Sequence, residues 1–134
     1  MFLTSPAAII PGRRESCVVF HEYQATSCAL IVNELIQNAV DHGLEHRSEG
    51  HVVVRLLQTD DSMSIEIEDD GKGLPEGFDP ARGGLGLQII RTLVRDDLKG
   101  QFLLEDGDGV RAVVSFPRWR PPRNHVSETR GGNL

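Results

Sequence analysis

A two-layer α/β sandwich, with helices on one face of a mixed, largely antiparallel sheet, is the architecture this sequence predicts. Three observations carry that expectation. Apolar residues recur at helical spacing twice, over residues 25–41 and 85–98. Two pairs of β-rich runs, each pair split by a turn signal, supply four strands. The order helix, hairpin, long loop, helix, hairpin then suits an antiparallel sheet covered on one side.

Taken in order, residues 1–14 hold Pro6, Pro11 and Gly12 and form an irregular lead-in, whose abrupt start suggests a piece of a larger protein. A short strand is expected at 17–20. Residues 25–41 form the first long helix, which should stop near Gly43, a residue able to take the left-handed cap conformation. Residues 51–58 and 62–68 alternate in part and flank Thr59-Asp60-Asp61, so they read as a hairpin. The Gly-, Pro- and Asp-rich stretch 69–84 is too long and too broken for an ordinary connection and reads as a lid. In the second helix, 85–98, Leu87, Ile90, Leu93, Val94 and Leu98 share the apolar side. Strands at 101–104 and 110–116 enclose the turn Asp106-Gly107-Asp108-Gly109. The folded domain is therefore 15–117, and the tail 118–134, rich in Pro, Arg, Asn and Gly, is expected to be disordered.

Composition narrows the function classes. A chain of 134 residues with 39% hydrophobic content suits one domain with its own core. A net charge of −6 gives no global attraction to nucleic acid or to an anionic membrane. A nucleotide remains compatible, because local backbone donors and a bridging metal can hold its phosphates. Cys17 and Cys28 match neither metal-ligand spacing nor a disulfide framework, which fits a reduced, cytoplasmic setting. No stretch is long enough to span a bilayer, and the apolar patch near the start lacks a preceding basic region.

Three strings carry candidate chemistry. In NELIQNAVDHG, residues Asn33, Glu34, Gln37, Asn38 and Asp41 occupy a polar arc of roughly 140° on the first helix. A solvated outer face would usually favour Lys and Glu, whereas these side chains can coordinate a hard cation and water, with Mg2+ at Asn38. In IEIEDDGKGLP an apolar strand runs into Asp69-Asp70-Gly71-Lys72-Gly73. A carboxylate at that strand end can accept a hydrogen bond from an exocyclic amine, and Gly71 and Gly73 permit close approach of a planar ligand. An acidic turn is the alternative. Third, Arg82-Gly83-Gly84-Leu85-Gly86-Leu87 opens the second helix with N–H groups that can face an anion, or that merely pack a helix start. Lys72 and Arg82 flank the lid and could offset phosphate charge or simply be solvated, with Arg82, directly before the glycines, the better placed; His42, four residues after Asn38, could flank a triphosphate or lie on the surface.

Jointly, over residues 25–117, these strings resemble the GHKL, or Bergerat-fold, superfamily shared by sensor histidine kinases, type II topoisomerases and mismatch-repair MutL proteins. The string from Glu34 to Asn38 resembles the N box, Asp69-Asp70-Gly71-Lys72-Gly73 the first glycine box, and Gly84-Leu85-Gly86-Leu87 the second. The resemblance implies ATP and Mg2+ as cofactors, with Asn38 on the metal and Asp69 on the adenine amino group. Glu34 matches the water-activating base of the ATPase branches and would act as general base. Taken with the readings above of Asp41, His42 and Arg82, the nucleotide-binding set is Asn38, Asp41, His42, Asp69, Gly71, Gly73, Arg82, Gly84, Leu85, Gly86 and Leu87. One departure is visible: Gly109 is followed by Val110 where the family usually has threonine facing the nucleotide.

Within the superfamily, LGLQIIRTLVRDDLKGQF and GVRAVVSFP look most like the catalytic domain of a two-component sensor histidine kinase. The partners so implied are phosphoacceptor and dimerisation helices and, indirectly, a response regulator. An anti-sigma-factor serine/threonine kinase of the same fold is the nearest alternative. A binding module gated by nucleotide, without phosphoryl transfer, is another.

Overall fold

A computed structural model of the chain describes Val18 and residues 20–119. Helix α1 spans Glu22–Asn38 and widens into a π turn at Ala39–Gly43. Strands β1 (Val52–Gln58) and β2 (Ser62–Asp69) form the first hairpin. A single 3-10 turn, Pro80–Arg82, interrupts the following loop before α2 (Leu85–Thr92) and a second π turn, Leu93–Asp97. Strands β3 (Gln101–Gly107) and β4 (Gly109–Pro117) complete the second hairpin.

The two hairpins join through β2 and β4, giving the order β1-β2-β4-β3 with every pairing antiparallel among the described residues. Period-two alternation puts Met63, Ile65 and Ile67 of β2 on the same face as Ala112, Val114 and Phe116 of β4. Against that face pack Ile31 and Leu35 from α1, with Leu87, Ile90, Val94 and Leu98 from α2 and its extension. Removing a side chain such as Ile90, which has no exposed surface, would cost about 2–5 kcal/mol through lost burial and the cavity left behind. Polar contacts also join the layers. Ser27 Oγ, buried on α1, donates to Asp97 Oδ2 at 2.7 Å.

On the other face the strands carry a charge ladder. Arg55 Nη1 lies 2.8 Å from Glu68 Oε2 and 4.0 Å from Glu66 Oε2. Arg111 reaches Glu66 at 2.6 Å and Glu105 at 3.0 Å. Opposite charges on neighbouring strands keep this face wetted while the other buries the core.

Several boundaries differ from the sequence expectation. The lead-in 1–14, Cys17, Val19 and the tail 120–134 lie outside the described residues. Val18 and Phe20 are in no strand but pack on the core, with the Phe20 ring 6.5 Å from that of Phe116. Helix α1 starts three residues earlier than expected, because the N–H groups of Gln24 and Ala25 both reach His21 O at 2.9 Å. Its end is the clearest correction. Gly43 does not take the left-handed conformation, and the chain leaves through Leu44, whose N–H bonds Ala39 O at 2.9 Å. Gly43 serves proximity instead, since a Cβ there would sit 2.9 Å from Asp69 Oδ1. Strands β3 and β4 run longer than expected, with Gly107 paired to Gly109 and Asp108 alone at the tip.

No helix is long and apolar enough to cross a membrane among the described residues. Burial pushes the Cys28 thiol up to about 11, so the reactive thiolate is scarce near neutral pH. Peptide mapping after alkylation at pH 8 should find Cys28 unmodified in the native chain and labelled once denaturant is added. Native labelling at the rate of a free thiol would contradict this packing.

Candidate functional site

The site is organised around one buried carboxylate. Asp69 ends β2 with only 7% of its surface exposed. Its Oδ1 accepts hydrogen bonds from Gly71 N–H at 2.8 Å and from Val110 N–H at 3.3 Å. Oδ2 has no hydrogen bond among the described residues. A buried carboxylate with one oxygen pinned and the other free is oriented to receive a single donor. Main chain crowds it from three directions. A Cβ on Gly43 or Gly109 would come within 3.0 Å of its carboxylate oxygens, and one on Gly71 would strike the carbonyl of Gly43. Gly109 also has φ 135, a backbone conformation that other residues rarely adopt.

A cleft of about 450 Å³ opens beside this carboxylate, within the usual range for small-molecule sites. Glu34, Asn38 and His42, spaced four residues apart on α1 and its π turn, line one wall. Gly84, Gly86 and Leu87 at the start of α2 line another. The two walls meet closely, since a Cβ on Gly86 would sit 2.7 Å from Glu34 Oε2. Helix α2 makes its first internal bond from Gln88 N–H to Gly84 O at 3.2 Å. The N–H groups of residues 85–87 therefore precede any intrahelical partner, and with the helix dipole they favour negative charge. Asn38 is half-buried, and its side chain makes no hydrogen bond within the described residues, so its amide oxygen is free to act as a ligand.

Gly73 and Lys72 form the rim that leads into the loop. Lys72 Nζ pairs with Glu45 Oε2 at 2.8 Å, and its N–H donates to Gly43 O at 3.0 Å. Next to it, Asp70 accepts from His51 N–H at 2.9 Å and lies 3.0 Å from His51 Nδ1. The backbone N–H of His51 first, and its ring second, hold the Asp70 carboxyl below its ordinary value.

Eight of the twelve residues expected from sequence thus share this cleft: Glu34, Asn38, His42, Asp69, Gly73, Gly84, Gly86 and Leu87. Four do not line it. Asp41 is exposed; Gly71 lies behind Asp69, against Gly43; Leu85 is 73% exposed. Arg82 is turned outward, with its side chain 88% exposed and its Nε 3.8 Å from Asp79. The cation on the rim is Lys72, because the 3-10 turn takes Arg82 away while the glycine box holds Lys72 in place. Sequence reasoning missed Leu74, Phe78 and Leu104, which give the cleft its apolar lining together with Val110, the residue that stands where the family usually has a threonine facing the nucleotide. Strand alternation was the available signal for Leu104, and Phe78 is the only aromatic residue in the loop.

Residues 13–101 match the model of the histidine kinase-like ATPase domain family. Sensor histidine kinase PdtaS of Mycobacterium tuberculosis is 38% identical over 104 residues, which are 75% of this chain and 21% of that protein. The chain therefore spans about a fifth of that curated relative. An anti-sigma F factor of Clostridium botulinum is 29% identical over 96 residues, 63% of this chain and 66% of its own length. The solved structure of the Erythrobacter litoralis EL346 blue-light activated histidine kinase superposes with a TM-score of 0.71 at 30% identity, covering 77% of this chain and 33% of that one.

Two outcomes follow from this geometry. Asp69→Asn keeps an oxygen for the Gly71 and Val110 N–H groups but replaces the free oxygen with a donor. Calorimetry should show adenine nucleotide binding weakened by about 1–3 kcal/mol, with less preference for adenine over guanine; unchanged affinity and preference would remove Asp69 from the site. Asp70 has its pKa depressed in the folded state, so its contribution is present above the ordinary carboxylate range and is lost as pH falls through the folded value. Thermal midpoints of the wild type and Asp70→Asn should converge on acidification from pH 7 to pH 3. A constant gap would rule that contribution out.

Proposed function

The chain belongs to the GHKL superfamily as a histidine kinase-like ATPase domain, and on that premise we propose that it is the ATP-binding catalytic domain of a two-component sensor histidine kinase. It transfers the γ-phosphate of ATP to a histidine on dimerisation helices outside this chain, from which a response regulator is served. The observation that carries this reading is the convergence on one cleft of a half-satisfied buried carboxylate, an unpaired asparagine amide, a carboxylate and an open helix start.

Each group has a task suited to its surroundings. The free oxygen of Asp69 accepts the adenine amino group, and the apolar walls from Leu74, Leu104 and Val110 take the base. The phosphates extend toward the first turn of α2, where N–H groups and the helix dipole favour anions. Lys72 and His42 add cationic or donor capacity beside them. The Asn38 amide oxygen suits Mg2+, a cation that takes one or two protein oxygens and completes its shell with phosphates and water. When bound, the ion offsets phosphate charge. Glu34 accepts a proton from the attacking imidazole or orients it, a role supported by its place against Gly86 at the start of α2, where this reading sets the phosphates. Loop residues around Phe78 cover the cleft and exclude water as a competing acceptor.

A second reading has one observation in its favour: the likeness to an anti-sigma F factor covers 66% of that protein. It would make the acceptor a serine on a partner. Phosphohistidine is acid-labile and phosphoserine acid-stable, so the product separates the two, and absence of either would favour a nucleotide-gated binding module.

The isolated chain should bind Mg-ATP yet scarcely label itself, and added cognate dimerisation helices should restore histidine phosphorylation, because transfer depends on placing the nucleophile in line. Asn38→Ala should abolish transfer. Glu34→Gln should slow transfer by roughly 10²–10⁴-fold while changing nucleotide affinity little. Gly86→Ala should reproduce part of that loss, since its Cβ would displace the Glu34 carboxylate. Full histidine transfer in both Glu34→Gln and Asn38→Ala, or label on a partner serine, would overturn the proposal.

A further inference from the structure

Between the glycine box and α2, the loop is tied to the rest of the domain unevenly. Residues 70–72 are held by many bonds. Arg47 Nη1 reaches Asp70 O at 2.7 Å, Gly71 N–H reaches Asp69 Oδ1 at 2.8 Å, and Lys72 uses both its N–H and its ammonium group. One further bond follows, from Leu74 N–H to Asp106 Oδ1 at 2.9 Å. Beyond it, among the described residues, every hydrogen bond and ion pair of 75–82 closes within that stretch. Phe78 N–H bonds Pro75 O at 3.0 Å, while Ala81 and Arg82 bond Asp79. The next tie is a long one, from Gln88 Nε2 to Gly83 O at 3.4 Å.

Asp106 is therefore the last polar anchor before the stretch 75–82, whose remaining tie to the body is the apolar packing of Phe78 on the core. It stands on firm ground, near the end of β3, where the ladder pairs it with Val110 one residue before the turn closes at Gly107 and Gly109. The approach is tight. Gly73 has φ 79, and a Cβ there would lie 2.6 Å from Asp106 Oδ1. The carboxylate and the glycine fit one another, so the position of the loop at residue 74 is set by a side chain 32 residues away in sequence.

We propose that Asp106 is a positioning residue that fixes the point at which the lid starts to move, an inference that rests on the nucleotide-binding reading of the cleft. With the bond in place, 75–82 can swing while 71–74 stay fixed, and the Gly71 N–H keeps its hold on Asp69. Without it, the hinge retreats to Lys72, directly beside Gly71, the residue that orients the adenine-binding carboxylate. The role needs an acceptor oxygen and not a negative charge, because the donor is a neutral backbone N–H. Asparagine can supply that oxygen; alanine cannot.

The test compares the full chain with Asp106→Ala and Asp106→Asn, reading amide exchange at Leu74 without nucleotide and Mg-ADP binding by calorimetry. In Asp106→Ala, exchange at Leu74 should quicken by about tenfold, the scale of one net hydrogen bond, with Mg-ADP bound several-fold more weakly. Asp106→Asn should restore both. Unchanged Leu74 exchange in the alanine variant, or equal loosening in the asparagine variant, would overturn the proposal, the first by denying the tie and the second by making it a matter of charge. If the wild-type chain binds no adenine nucleotide, the functional reading falls, and the exchange comparison still decides whether Asp106 anchors the loop.

Discussion

The burial of one acidic side chain is the constraint around which much of this fold is arranged. A carboxylate removed from water is unfavourable unless hydrogen bonds replace its hydration. Asp69 receives such bonds from Gly71, in the loop after β2, and from Val110, at the start of β4. Three segments must reach within van der Waals distance of it: the end of the first helix at Gly43, the loop at Gly71, and the second hairpin at Gly109. None can carry a side chain there. The helix therefore ends in a π turn and leaves through Leu44, and the hairpin turns tightly with Gly109 in a conformation open mainly to glycine. The free oxygen that remains is the one feature of this arrangement that packing leaves unused.

Around that point the two layers divide the labour. The inner sheet face and the buried sides of α1 and α2 supply apolar burial, while the outer face is laced by Arg55, Arg111 and their glutamate partners. Exposed ion pairs of this type add little stability individually. Their effect is on specificity, since a charged outer face keeps the strands from pairing their other side with apolar surface. The cleft forms where the layers separate, between the C-terminal half of α1 and the start of α2, and the sheet closes its floor with Ile67 and Ala112.

Element types were legible because they depend on local signals. Hairpin turns, period-two alternation and the apolar stripes of both helices can each be read within a dozen residues, and the strand pairs fell where those signals put them. The cleft-facing residues Glu34, Asn38 and His42 were legible for the same reason, since spacing by four on one helix fixes their common side. What was hidden is what depends on distant chain. Gly43 looked like a helix cap, yet its constraint comes from Asp69, and nothing near residue 43 reveals that. Arg82 adjoins the glycines in sequence, but the 3-10 turn at Pro80–Arg82 sends it outward and leaves the rim to Lys72. Asp106 reads as part of an acidic turn, and its bond to Leu74 joins segments whose connection no local pattern encodes.

Both helices finish in a π turn, with Leu44 bonded to Ala39 and Leu98 bonded to Leu93 across five residues. Such a turn holds one residue more than the α-helical turn it replaces. The two ends of each helix therefore differ in how they tolerate a change of chain length. One residue lost within Ala39–Gly43 converts the wide turn to an ordinary one, and the body of α1 keeps its phase. One residue lost earlier, within Glu22–Asn38, rotates everything after it by about 100° and carries Asn38 away from the cleft. Length variation among relatives of this chain should accordingly gather at the C-terminal ends of the helices, where the backbone already carries the slack to absorb it.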